Sequence, residues 1–160
     1  MKDPMRSLRS FLHRGVLVVA LFAVATALAA SERAVMKSHG SPAKQPDPAE
    51  FGLGPRASAE GLFLASLEPE QALRPRQMQQ IRVVVTDREG RAVEGADLTI
   101  DGGMPQHGHG LPTRPRVTQG LGDGAYRIEG VRFNMGGWWE LKVTIAAGGV
   151  TDTVTFNLDL

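Results

Sequence analysis

From Gly61 onward, apolar residues recur at every second position, the periodicity of strands half-buried against a core. Leu62, Phe63 and Leu64 open a short first strand. Ile81, Val83 and Val85 share one face of the second, opposed by Arg82, Val84 and Thr86, and Asp87-Arg88-Glu89-Gly90 reads as the turn that ends it. Leu98 and Ile100 mark a third strand, predicted to end at Asp101-Gly102-Gly103, and residues 116–119 form a weak fourth. Gly122-Asp123-Gly124 turns into a fifth strand with Tyr126, Ile128 and Val131. Leu141, Val143 and Ile145 alternate with Lys142 and Thr144 in a sixth. After the Ala147-Gly148-Gly149 turn, Val154, Phe156, Leu158 and Leu160 alternate with Thr153, Thr155, Asn157 and Asp159 in a seventh. No helical period appears after residue 60, apart from room for one turn between Pro69 and Gln80.

This pattern predicts an all-β domain over residues 59–160, an immunoglobulin-like β-sandwich of about seven strands. Tyr126 follows a Gly-Asp-Gly turn and stands two residues before an inward Ile128, where a tyrosine-corner residue stands. Trp138 and Trp139 are adjacent, so in a strand they point to opposite faces. One is expected in the core and the other over a sheet edge or in a site.

The first 58 residues read differently. Arg6, Arg9, His13 and Arg14 precede an apolar run over residues 15–30, the order found in a secretory signal. The run is shorter than the ~20 residues of a comfortable membrane span. Ala27-Leu28-Ala29 supplies small residues for cleavage after Ala29. Residues 1–29 are therefore expected to be a signal peptide, the alternative being an uncleaved anchor to the inner membrane. Residues 30–58 hold Pro42, Pro46, Pro48 and Pro55 among charged residues, and read as a flexible Pro-rich linker. Met36 and His39 fall in it and are expected to be solvated. The folded part is thus expected outside the cytoplasm, in the periplasm, touching the membrane only through the N-terminal segment if that is retained.

Charge and composition narrow the function classes. The formal charge of +1 is misleading, because Lys2, Arg6, Arg9 and Arg14 stand against only Asp3 in residues 1–29. Without that segment 14 basic and 16 acidic residues remain, and no basic stripe is left for nucleic acid. The chain has no cysteine, which excludes disulfides, thiolate nucleophiles and thiolate metal sites together.

The one segment dense in chemistry is Asp101-Gly-Gly-Met-Pro-Gln-His-Gly-His-Gly-Leu-Pro-Thr113. It holds His107 and His109, which project to one side if locally extended. Asn134-Met135-Gly136-Gly137 sits between two later strands. Each strand of a sandwich crosses its full height, so the loop after the third strand and the loop after the fifth lie at the same end, provided residues 116–119 make a full crossing. Met104, His107, His109 and Met135 then form a candidate metal set. Imidazole with thioether suits copper, thioether favouring Cu(I). The same residues also fit a structural role, with solvated histidines on a rigid loop and methionines filling gaps in the core. No catalytic constellation stands out. Ser58 and Ser66 lack a nucleophile-elbow context, and two histidines without an orienting acid or nucleophile are not a triad.

The runs Met104-Pro-Gln-His-Gly-His-Gly-Leu-Pro-Thr-Arg-Pro115, Gly122-Asp-Gly-Ala-Tyr-Arg127 and Phe133-Asn-Met-Gly-Gly-Trp-Trp-Glu-Leu141, in that order, resemble the YtkA-like domain family, which is related to FixH proteins. The resemblance covers roughly residues 77–160. It implies a small exported or membrane-anchored β-sandwich module without catalytic chemistry. By analogy with FixH-type members it also implies a role in copper supply, with a copper acceptor or a membrane respiratory assembly partner. Carried over by position, His107, His109, Met104 and Met135 are the residues it favours. The short, cleavable-looking apolar segment departs from FixH proteins. A metal-free module that docks on a periplasmic partner, through an exposed tryptophan, is the competing expectation.

Overall fold

The structure is a computed structural model that describes residues 43–160. The expected signal or anchor segment and residues 30–42 of the expected linker, with Met36 and His39, lie outside the described residues.

Seven strands of seven to ten residues form the sandwich, six of them with apolar residues buried on one face. They are β2 (Phe63–Pro69), β3 (Gln79–Asp87), β4 (Asp97–Met104), β6 (Arg116–Gly122), β7 (Ala125–Val131), β8 (Trp138–Ala147) and β9 (Val150–Asp159). Two two-residue strands, β1 (Arg56–Ala57) and β5 (His109–Gly110), flank them. One sheet has the order β1-β2-β3-β7-β6 and the other β5-β4-β8-β9, with antiparallel neighbours throughout. Without the two short pieces, the first, second, fifth and fourth strands face the third, sixth and seventh. That is the constant-type immunoglobulin arrangement. The inward residues Phe63, Ala65, Leu67, Ile81, Val83, Val85, Ile128, Leu141, Val143, Ile145, Val154 and Phe156 are all buried, and they form the core between the sheets.

Three local expectations need correction. First, β4 continues through Gly102-Gly103 to Met104, because the glycines pair with β8 and β5 instead of turning. A Cβ on Gly102 would stand 2.7 Å from the Glu140 carbonyl, so only glycine lets the strands meet there. Second, the fourth strand expected at residues 116–119 is present but longer, Arg116–Gly122, a full crossing paired with β7 through two bulges. Third, Tyr126 is not a tyrosine corner. That residue belongs to the sixth strand of an immunoglobulin sandwich, whereas Tyr126 opens the fifth. Its buried hydroxyl donates to the Val93 carbonyl at 2.7 Å and accepts from the Ala96 N–H at 2.9 Å, pinning the long β3–β4 connection. Tyr126→Phe leaves both backbone groups without that partner. It is expected to cost about 1–3 kcal/mol in urea unfolding, with the histidine end of the domain unchanged.

The last part of the expected linker is not free. After a 3-10 turn at Pro48–Glu50, the backbone runs along one side of the sandwich and bonds to both sheets. Gly52 N–H donates to Asn157 of β9 (3.0 Å), and Leu53 C=O accepts from Leu67 of β2 (2.7 Å). β1 then pairs with β2, and Ala59 N–H donates to Thr153 of β9 (2.9 Å). Residues 51–59 therefore form a strap that occupies the outer edge of β9. Proline-rich composition hid it because its bonds are made by the backbone.

Asp152, 6% exposed, ties down the end of the strap. Its carboxylate accepts from the Glu60, Leu62 and Thr153 N–H groups at 2.7–3.3 Å. Burial pushes its pKa up, but the hydrogen bonds it accepts outweigh burial and hold it below the ordinary carboxylate value. A depressed folded pKa means stability that is present above the unfolded pKa of ~3.9 and is lost as pH falls through the folded value. Asp152→Asn is expected to destabilise the domain at pH 7. The gap to the parent should shrink as both are titrated below about pH 4, measured by thermal unfolding across pH.

Candidate functional site

One end of the sandwich carries the β2–β3 connection, the β4–β5 turn and the β7–β8 loop. Register fixes this placement: Gln79 pairs with Val131, Gly103 with Glu140, and Trp138 with Asp159. The parity expectation thus holds. Met104, His107, His109 and Met135 come to the same end.

The β4–β5 turn is tight. The Met104 carbonyl accepts from both His107 N–H (3.0 Å) and Gly108 N–H (2.9 Å), and Gly108 takes the left-handed conformation with φ +65°. Met104 and His109 are then register partners. His107 sits in the turn instead of a strand, yet the two rings still come together. They are nearly parallel, 14° apart, with centroids separated by 6.2 Å, and both residues are exposed.

The two methionines part company. Met104, 3% exposed, belongs to the core, on the inward face it shares with Ile100. Its terminal methyl lies 3.2 Å from where a Cβ on Gly137 would stand, so it props the β7–β8 loop from beneath. Met135, on that loop, is 39% exposed. Its carbonyl accepts from Trp139 Nε1–H at 3.0 Å, and Trp139 packs edge-to-face on Phe133 with centroids 5.2 Å apart. The exposed donors are therefore two imidazoles and the Met135 thioether. Met104 acts as their support.

Both tryptophans are buried. Trp139 is in the core as expected. Trp138 points to the other face of its sheet, where its Nε1–H donates to the Asn157 side-chain oxygen (3.0 Å), and the Asn157 amide reaches the Glu50 carbonyl (3.3 Å). The segment leading into the strap covers the place where an exposed aromatic was expected.

Beside His109 lies a shallow depression of about 370 Å³, lined by Asp101, Gly103, Pro105, Gly108, Glu140 and Lys142 among others. Lys142 pairs with Glu140 at 3.2 Å, which leaves Asp101 as the carboxylate without an ion pair there. Glu140 and Lys142 carry no motif of their own. Only their register opposite Gly103 and Asp101 brings them next to the histidine turn. Among the described residues no three His, Cys, Asp or Glu side chains converge. Ser58 has no histidine partner among the described residues. The Ser58 hydroxyl is buried and exchanges hydrogen bonds with the Phe63 backbone.

Fold and site together define a small immunoglobulin-like β-sandwich module that presents an exposed histidine turn at one end. The chain belongs to the YtkA-like family, whose model matches residues 65–144, half of the sequence. Among solved structures, the ZirS C-terminal domain is similar at 14% identity and a TM-score of 0.38, over 78% of this chain and 88% of that one. No curated protein matches the sequence. Among the described residues no helix is long and apolar enough to cross a membrane.

Proposed function

We propose that this protein is an exported, non-catalytic copper-handling module that holds Cu(I) at its histidine end and passes it to an acceptor. The observation that carries the reading is the stacked, exposed pair of His107 and His109 on a rigid turn, at the same end as the exposed Met135. His107, His109 and Met135 would hold the metal. An exposed site of few ligands suits a carrier, because an acceptor can replace the ligands one at a time. The periplasmic location rests on the basic and apolar pattern of residues 1–30. The competing reading, docking through an exposed tryptophan, is disfavoured by the burial of both Trp138 and Trp139.

The test is an anaerobic Cu(I) titration of the purified protein against a chromophoric chelator, with His107→Ala/His109→Ala and Met135→Leu beside it. The parent is expected to bind one equivalent. The double histidine variant should lose binding, by about 100-fold or more, while keeping its unfolding midpoint, because both rings are exposed. Equal weak binding by parent and double variant would overturn the copper reading.

A further inference from the structure

Strand edges are where backbone N–H and C=O groups lack a ladder partner, and they invite pairing with another chain unless protected. The edges of this sandwich are treated unequally. On one side the strap bonds to β9 and β2. Among the described residues the other side is open, with β6 ending one sheet and β4, with the two-residue β5, ending the other.

The two open edges differ in charge pattern. The stretch of β4 that β5 leaves uncovered begins at Asp97 and reaches Asp101. Antiparallel pairing of two copies about Thr99 would set Asp97 opposite the other copy's Asp101, twice. Like charges directly opposite oppose pairing, so this edge is defended. β6 has the reverse pattern, basic before the strand and acidic after it: Arg114-Pro-Arg116-Val-Thr-Gln119-Gly-Leu121-Gly-Asp123. Antiparallel pairing of two copies about Gln119 brings Leu121 towards the other copy's Val117, whose side chain packs partly against its own core. It also brings Arg114 and Arg116 to the other copy's Asp123, and two-fold symmetry repeats every contact. Arg114, Arg116 and Asp123 are exposed, and none is in an ion pair among the described residues. Leu121 is one of the few large apolar residues left exposed, at 39%.

We propose that β6 is a self-association edge, at which a second copy of this chain adds its own β6 antiparallel about Gln119 and the two five-stranded sheets become continuous. The two bulges in β6 twist the edge and limit the number of regular hydrogen bonds. The dimer is therefore weak, with a Kd on the order of 100 μM.

The test is sedimentation of the full chain over concentrations spanning that value, in a mild detergent that shields the apolar run 15–30. Hydrogen exchange of the β6 amides is read at both ends of the range. The expected result is a concentration-dependent dimer in which exchange at residues 117–121 slows as the dimer forms. Asp123→Asn and Arg116→Gln should each weaken it by about fivefold, and added salt should do the same. Asparagine tolerates the left-handed backbone of Asp123 (φ +53°), so the first variant keeps its turn. A monomer at every concentration, or a dimer whose β6 amides exchange as in the monomer, would overturn the proposal. So would a dimer indifferent to both substitutions.

Discussion

Replacing Trp139 with alanine is expected to cost about 3–5 kcal/mol and to leave the domain largely unfolded at body temperature. The side chain is fully buried and is among the largest in the core. Its removal opens a cavity beside Phe133 and strips the Met135 carbonyl of its donor. Trp139→Phe separates the two effects. It keeps an aromatic ring against Phe133 and loses only the N–H, so a smaller loss of about 1–2 kcal/mol is expected. Urea denaturation followed by far-ultraviolet circular dichroism gives both numbers. The phenylalanine variant should also loosen the β7–β8 loop, seen as faster hydrogen exchange around residues 134–137. Equal stability losses in the two variants would mean that the hydrogen bond, and not the buried volume, dominates.

Gly124→Ala is expected to be nearly as severe, at least about 3 kcal/mol, for a different reason. Gly124 has φ +69°, and a Cβ there would stand 2.3 Å from the Val85 carbonyl and 3.0 Å from the Val93 nitrogen. Both are backbone atoms, so relief requires moving a strand. The same position donates its N–H to Glu94 (2.8 Å) and accepts from Val85 N–H (2.8 Å), so a shift breaks two bonds besides. Gly122→Ala is the control. It has φ +82° but nothing within 4 Å of an added Cβ, and only the backbone preference, about 1 kcal/mol, is at stake. Thermal unfolding of the two variants should rank them clearly. Equal midpoints would show that the close approach at Gly124 relaxes without cost.

Six of the seven long strands were legible because each buries one face. Val83, Leu141, Val143 and Phe156 announce their direction by parity alone, whereas β6 buries no residue and so reads as weak. The placement of the histidine turn and the Met135 loop at one end followed from counting crossings. Met104 takes the core-filling role that its sequence also allowed, although its place in the strand is hidden. It stands four residues after Ile100, on the same face of a strand, but Gly102-Gly103 reads as a turn and hides the continuity. What glycine signals there is close approach of backbones, not a bend. The strap left no trace in the apolar pattern, since main-chain groups make its contacts. Trp138 followed from it, because a face that reads as exposed in the strand pattern is covered by a segment that reads as linker. Two-residue strands such as β5 lie below any periodicity, and their register is supplied by the turn.

The strap also decides how a pull on the N-terminal side of the domain would be borne. Tension arriving through residue 43 meets the bond from the Asn157 amide to the Glu50 carbonyl, then those at Gly52 and Leu53, one to each sheet, and then those at β1 and Ala59. These can peel in sequence while the seven long strands keep their register. The strap would act as a mechanical fuse, yielding stepwise and sparing the core and the histidine turn.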